Sequence, residues 1–223
     1  MDNKVILITG ASDGIGKETA KALAKQGHTI IMHGRNPQKT KSAYEEVKTK
    51  SDNNNIEYLV ADFLSLAEIK RFADNIKQKY DRLDVLVNNA GAQFTGKRKT
   101  TDEGHEKTMS INVFAPHLLT ILLLPLLKKS PSARVVTVAS AAHKMAGKPT
   151  LSDIELKNNY SMGKAYGLSK LYVIWIMRHF VSEGITGKDY GLKGEEKPSD
   201  KYYSPKNEQI VWDYSMNIIK PYL

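Results

Sequence analysis

Cysteine is absent from all 223 residues. That excludes a disulfide framework, a thiolate metal site and a cysteine nucleophile, and no metal site is expected. Long apolar runs are absent too. The greasiest stretch, LLTILLLPLL over residues 118–127, falls short of the ~20 residues a membrane span needs. No transmembrane segment is expected. The opening MDNKVILITG lacks the charged leader and extended apolar stretch of a signal peptide. A cytoplasmic location is the expectation, with peripheral membrane association left open. Aromatic residues are only 8% of the chain and do not interleave with its scattered lysines, so there is no stacking platform for nucleic acid. The formal charge of +9 reads as a solvated lysine surface, and no nucleic-acid partner is expected.

What is present is a rhythm. Apolar β-branched runs at residues 4–9, 28–33, 56–61, 83–88 and 134–139 read as strands. Amphipathic stretches at 14–26, 37–50, 65–79, 102–128 and 163–182 read as the helices between and after them. Strands so uniformly apolar are expected to be buried on both faces. The alternation implies right-handed crossovers, hence an α/β fold with a doubly wound parallel sheet and helices on both faces. Beyond residue 186 the rhythm breaks. A polar stretch leads to one further helix, NEQIVWDYSMNIIK over residues 207–220. Residues 1–186 therefore read as the main domain and 187–223 as a C-terminal remnant of it.

In such sheets ligands bind beyond the carboxyl ends of the strands. After the first strand stands TGASDGIG, residues 9–16. Gly10, Gly14 and Gly16 let the backbone turn tightly, and with Ser12 and Ile15 they open a helix whose amides suit a pyrophosphate. The spacing is G-x-x-x-G-x-G. After the second strand, HGRN places Arg35 where a free ribose 2′-hydroxyl would call for an acid. An arginine suits a 2′-phosphate, so NADP(H) is favoured over NAD(H). After the third, Asp62 can accept from an adenine amine or cap the next helix. After the fourth comes NNAG: Asn88 and Asn89 can tie neighbouring strand ends together, while Ala90 and Gly91 leave room for the cofactor.

After the fifth strand comes Ser140, and later YGLSK, with Tyr166 and Lys170 four residues apart on a predicted helix. Both side chains leave one face. A tyrosine titrates near 10; an ammonium beside it favours the phenolate and makes it a usable acid/base. Pro116, four residues after Asn112 in the long helix, removes an N–H and predicts a kink there.

TGASDGIG, NNAG, Ser140 and YGLSK together resemble the short-chain dehydrogenase/reductase family. Residues 111–144 and 160–171 resemble its retinol-dehydrogenase-like branch. The resemblance covers residues 3–186. It implies a Rossmann-type sheet and a catalytic tetrad of Asn112, Ser140, Tyr166 and Lys170. By that likeness Ser140 holds the substrate oxygen, Tyr166 exchanges the proton, Lys170 also binds the nicotinamide ribose, and Asn112 holds a relaying water. The implied substrate is a lipophilic alcohol or carbonyl. The family commonly pairs subunits through the long helix and the tyrosine helix. The apolar LLTILLLPLL and LYVIWIM (171–177) suit either a homodimer or the core.

The sequence departs from the family after GIT (184–186). No Pro-Gly turn and no apolar sixth strand follow. GKDY (187–190) instead resembles the start of the seventh strand and VWDYS (211–215) the last helix. Loss of a central strand would leave the fifth strand with an exposed edge and would remove one wall of the substrate pocket. The enzymatic reading therefore has an alternative: a catalytically weak or inactive nucleotide-binding remnant or shortened isoform.

Overall fold

The computed structural model describes residues 3–182, 190–191, 194–195 and 201–223. They fall into two compact units: Met1–Gly91 with Leu118–Val138 and Tyr222–Leu223, and Ala92–His117 with Ala139–Pro221. The junction at Thr186 and Gly187 lies outside the described residues.

The first unit carries a five-stranded parallel sheet in the order β3-β2-β1-β4-β5, flanked by helices. The strands are β1 (Val5–Ile8), β2 (Thr29–Gly34), β3 (Ile56–Val60), β4 (Val85–Asn88) and β5 (Arg134–Thr137). Ile6 of β1 pairs with Ile30 on one side and Val85 on the other. Leu7, Ile8, Ile30, Ile31 and Met32 are fully buried, as a sheet covered on both faces requires. Each such side chain contributes roughly 1.5–3 kcal/mol by leaving water. The helices are α1 (Gly14–Ala24), α2 (Pro37–Ser51) and α3 (Leu66–Lys79). Their starts are set by short polar caps. Asn36 accepts from Lys39 N–H at 2.9 Å, and Ser65 from Glu68 N–H at 3.3 Å.

Both end strands depart from burial on both faces: Val60 of β3 is exposed, and β5 shows the open edge that loss of a sixth strand would leave. In β5, Arg134 and Val136 are exposed. The reason is its place at the end of the sheet order. With β4 on one side and no further strand among the described residues on the other, half of its surface loses cover.

The long helix also differs. It was expected from residue 102, but α4 covers only Lys107–Met109. Residues 100 to 106 close on themselves through a Thr100–Glu106 bridge, and the Glu106 carboxylate caps α4 by accepting from Met109 N–H at 2.8 Å. A π-helical turn, Ser110–Phe114, then leads into α5 (Ala115–Leu127). Pro116 explains it. Its ring and missing N–H cannot fit a regular turn, and the helix widens so that Ala115 N–H reaches back to Ser110 O. The expected kink takes the form of a π turn.

Residues 107–127 are long and apolar enough to cross a membrane, and 78% of their most apolar window is buried. Leu118, Leu119, Leu122, Leu123, Leu126 and Leu127 are all buried, as are Leu171 to Ile176. These residues pack in the core of the chain.

In the second unit, α6 (Met162–Ser182) packs against α7 (Pro205–Ile219). The ring of Trp212 on α7 stacks on His179 at 4.1 Å and lies near His117 at 4.4 Å. Buried Glu155 accepts from Tyr214 OH and from Glu106 N–H, both at 2.6 Å. Tyr190–Gly191 pairs antiparallel with Gly194–Glu195, outside the main sheet. The rest of GKDY lies outside the described residues, as does GIT.

Candidate active site

Of the residues proposed for the cofactor, Tyr166 and Lys170 stand in the second unit; the rest stand in the first, beyond the carboxyl ends of β1, β2, β3 and β4. Gly10 has a φ of +65°, a left-handed conformation that favours glycine. A Cβ there would also come within 2.9 Å of Ala90 Cα. At Gly16 a Cβ would meet Gly10 O at 2.4 Å and Asn89 Nδ2 at 2.5 Å. Any side chain at either position would push the turn away from β4.

The NNAG segment locks that turn. The Asn89 side-chain amide donates to Thr9 O at 2.8 Å and Gly10 O at 3.2 Å. Thr9 Oγ1 accepts from the Asn89 and Ala90 amides, each at 2.9 Å. Asn88 donates to Thr120 Oγ1 at 3.1 Å. The expected tie between strand ends is therefore present, and Thr9 is part of it.

At the helix start, Asp13 accepts from Gly14 N–H at 2.8 Å and pairs with Lys39 at 2.7 Å. The hydrogen bond from Lys39, aided by Gly14 N–H, lowers the Asp13 pKa. The amides of Ile15 and Gly16, second and third in α1, donate to no protein acceptor among the described residues. Ile15 is 68% exposed. An exposed helix start with unmet N–H groups is an anion site in form. Lys39 offsets the one carboxylate close to it.

Arg35 is exposed just past β2 and carries no ion pair among the described residues. Asp62 is half-buried. Its Oδ1 accepts from Leu64 N–H at 2.9 Å, while Ser65 caps α3. Of the two roles open to Asp62, the helix cap belongs to Ser65. Asp62 shapes the turn before it.

The tetrad residues all stand in the second unit. Tyr166 and Lys170 share α6, and the lysine Nζ lies 5.8 Å from the centre of the tyrosine ring, within cation–π range. Lys170 is 6% exposed, and burial lowers its pKa to about 8. At neutral pH it still holds most of its charge.

Asn112 sits in the π turn with its side chain fully engaged. It accepts from Ala92 N–H at 3.0 Å and donates to Ala92 O and Ser169 Oγ, both at 2.9 Å. Ser169 in turn donates to Tyr166 O at 2.8 Å. The amide thus clamps the segment after NNAG onto the tyrosine helix. Ser140 caps a short 3₁₀ turn, Ala141–Met145, accepting from Ala142 N–H at 3.2 Å. No hydrogen bond joins Ser140 to Tyr166 among the described residues.

Two residues were missed in the sequence. At Gly167 a Cβ would meet Ala142 O at 2.9 Å and Ala146 Cβ at 2.9 Å, so only glycine lets α6 approach the Ser140 turn this closely. A glycine inside a helical pattern is the signal. The other is His33, buried in an apolar strand and bonded to Gly10 N–H at 3.3 Å. Two clefts, of about 230 Å³ and 310 Å³, include none of the tetrad residues.

Comparisons with known proteins identify the family. The family profile described as short chain dehydrogenase matches residues 4–183. The human polyprenol dehydrogenase is 39% identical over 181 residues, covering 79% of this chain and 54% of that protein. Human retinol dehydrogenase 12 is 39% identical over 171 residues, covering 77% of this chain and 54% of that protein. A Shigella flexneri short-chain dehydrogenase solved in complex with NADP superposes with a TM-score of 0.64 at 28% identity. That match covers 82% of this chain and 72% of the other. The chain spans about half the length of the curated relatives it matches.

Proposed function

Because the chain belongs to the short-chain dehydrogenase family, we propose that it is an NADP(H)-dependent oxidoreductase. It would interconvert a lipophilic alcohol with its aldehyde or ketone. The single observation that carries this reading is the Tyr166–Lys170 pair on α6, with the ammonium 5.8 Å from the ring centre.

The residues fit the cofactor. The close approach at Gly10 and Gly16 keeps the turn open to a pyrophosphate, with the Ile15 and Gly16 amides as donors. Ser12, Asn89, Ala90 and Gly91 line the same turn. Exposed Arg35 would take the 2′-phosphate, and Asp62 the adenine amine. The preference for NADP(H) rests on Arg35. When bound, the nicotinamide supplies hydride exchange with the substrate carbon.

The chain's own part is the proton and the oxygen. Tyr166 holds the proton that the substrate oxygen gains or loses. The Lys170 charge favours the phenolate and makes that exchange feasible near neutral pH. Ser140 would hold the substrate oxygen by donating its O–H, while its Oγ goes on accepting from Ala142 N–H. Asn112, its side chain engaged, would serve a relaying water only through its main chain.

A second reading is a nucleotide-binding form with little or no turnover. The edge position of β5, with Val136 47% exposed, favours it, because the family's sixth strand would lie there. NADPH oxidation with a long-chain aldehyde, run beside NADPH fluorescence binding, tests both. Turnover supports the enzyme, binding without turnover the second reading, and failure to bind NADPH or NADH overturns both.

A further inference from the structure

His33 is the next-to-last residue of β2, inside the core of the first unit, and is 3% exposed. A histidine in an apolar strand needs a reason, because burying an unmatched polar ring costs stability. Here both ring nitrogens are used. Nδ1 accepts from Gly10 N–H at 3.3 Å, and Nε2 lies 3.0 Å from Ala61 O. The first bond requires Nδ1 to be bare, so the proton is on Nε2 and is donated to the carbonyl. The main-chain carbonyl of His33 also accepts from Ala11 N–H at 2.7 Å. One residue therefore holds two consecutive amides of the glycine turn and the end of β3.

The ring is held flat. It stacks on Phe63 at 3.8 Å and 15°, and Phe72 meets its edge at 5.0 Å. The one charged group facing it is Asp62; burial outweighs that charge and keeps the imidazole neutral. An apolar side chain could fill this space against the two phenylalanines. It could not satisfy Gly10 N–H and Ala61 O together.

We propose that His33 is a positioning residue of the cofactor site, using one neutral imidazole tautomer to fix the glycine turn against the end of β3. Gly10 and Ala11 are drawn inward by His33, which leaves the Ile15 and Gly16 amides to face a phosphate. Ala61 adjoins Asp62, so the same ring sets the separation between the phosphate donors and the adenine acceptor. This rests on the cofactor reading given above.

The test uses the full chain with NADPH as the probe, followed by nicotinamide fluorescence. His33→Leu keeps the apolar packing and removes both side-chain bonds. His33→Asn keeps an acceptor near the Nδ1 position. His33→Gln keeps a donor near the Nε2 position. The Leu variant is expected to bind NADPH about tenfold more weakly, as loss of a positioning bond allows. The Asn variant should recover much of that loss even where its melting temperature is no higher than that of Leu. Affinity that simply tracks melting temperature across the three variants would overturn the proposal, and so would a folded Leu variant with wild-type affinity. If Leu does not fold, the Asn and Gln variants decide: equal affinities overturn it, and tighter binding by Asn supports it. A wild-type chain that binds neither NADPH nor NADH would overturn the cofactor reading itself.

Discussion

The Nζ of Lys170 lies 5.8 Å from the centre of the Tyr166 ring, on the same face of α6. The lysine is buried, so its charge acts on the phenol with little screening by water. Lys170→Met removes that charge at similar length. Turnover at pH 7 is expected to fall by about a hundredfold or more, the range of a lost acid/base contribution. In the alcohol-oxidation direction the residual rate should rise with pH, because the phenol then ionises without help. A pH series of steady-state rates checks it.

Arg35 decides the cofactor. Arg35→Asp replaces an exposed cation with a group suited to a ribose hydroxyl. NADPH affinity should fall roughly ten- to hundredfold, the worth of one or two charge-assisted hydrogen bonds, while NADH affinity holds or improves. Paired titrations with the two cofactors measure the ratio.

Gly167→Ala tests how close α6 must come to the Ser140 turn. Its Cβ would meet the Ala142 carbonyl at 2.9 Å, and backbone must move to relieve that contact. A shift near 1 Å at the reacting groups can cost on the order of a hundredfold in rate. Turnover should therefore drop, with NADPH binding much less affected, since no cofactor residue lies in this contact. Equal losses of binding and rate would refute it.

Acid should weaken the fold through His33. Burial lowers its pKa from 6.5 to about 4. Between these values the unfolded chain takes up a proton that the folded chain refuses, so stability is lost as pH falls from 6.5 towards 4. The full effect is about 3 kcal/mol. His117, lowered to about 3 by burial and then by the charge of His179, adds a change of the same sign. Urea midpoints at pH 7 and pH 5 should differ in that direction. His33→Leu should show a smaller difference.

Much of this was legible because the signals are local. Ile30, Ile31 and Met32 announce a strand buried on both faces, and Asn36–Pro37 announces a helix start. Gly10 and Gly16 announce a close approach. What was illegible depends on partners distant in the chain. Glu155 reads as a surface acid until His105, Glu106 and Tyr214 gather on it. His33 reads as an odd strand residue until Gly10 and Ala61 flank it. The start of the long helix was misplaced because Thr100 and Glu106 close a turn that helical periodicity does not reveal. Pro116 was read as a kink, and it takes the form of a π turn in which Ala115 N–H reaches back to Ser110 O.

The central claim is that Tyr166 exchanges the proton while other residues hold the cofactor. Tyr166→Phe keeps the ring and deletes one oxygen. NADPH oxidation with a lipophilic aldehyde and NADPH binding should be measured on the same wild-type and variant samples. The account predicts that turnover falls by at least about a hundredfold while NADPH affinity stays within about threefold, a loss confined to the transition state. A Phe variant that turns over at the wild-type rate would contradict it.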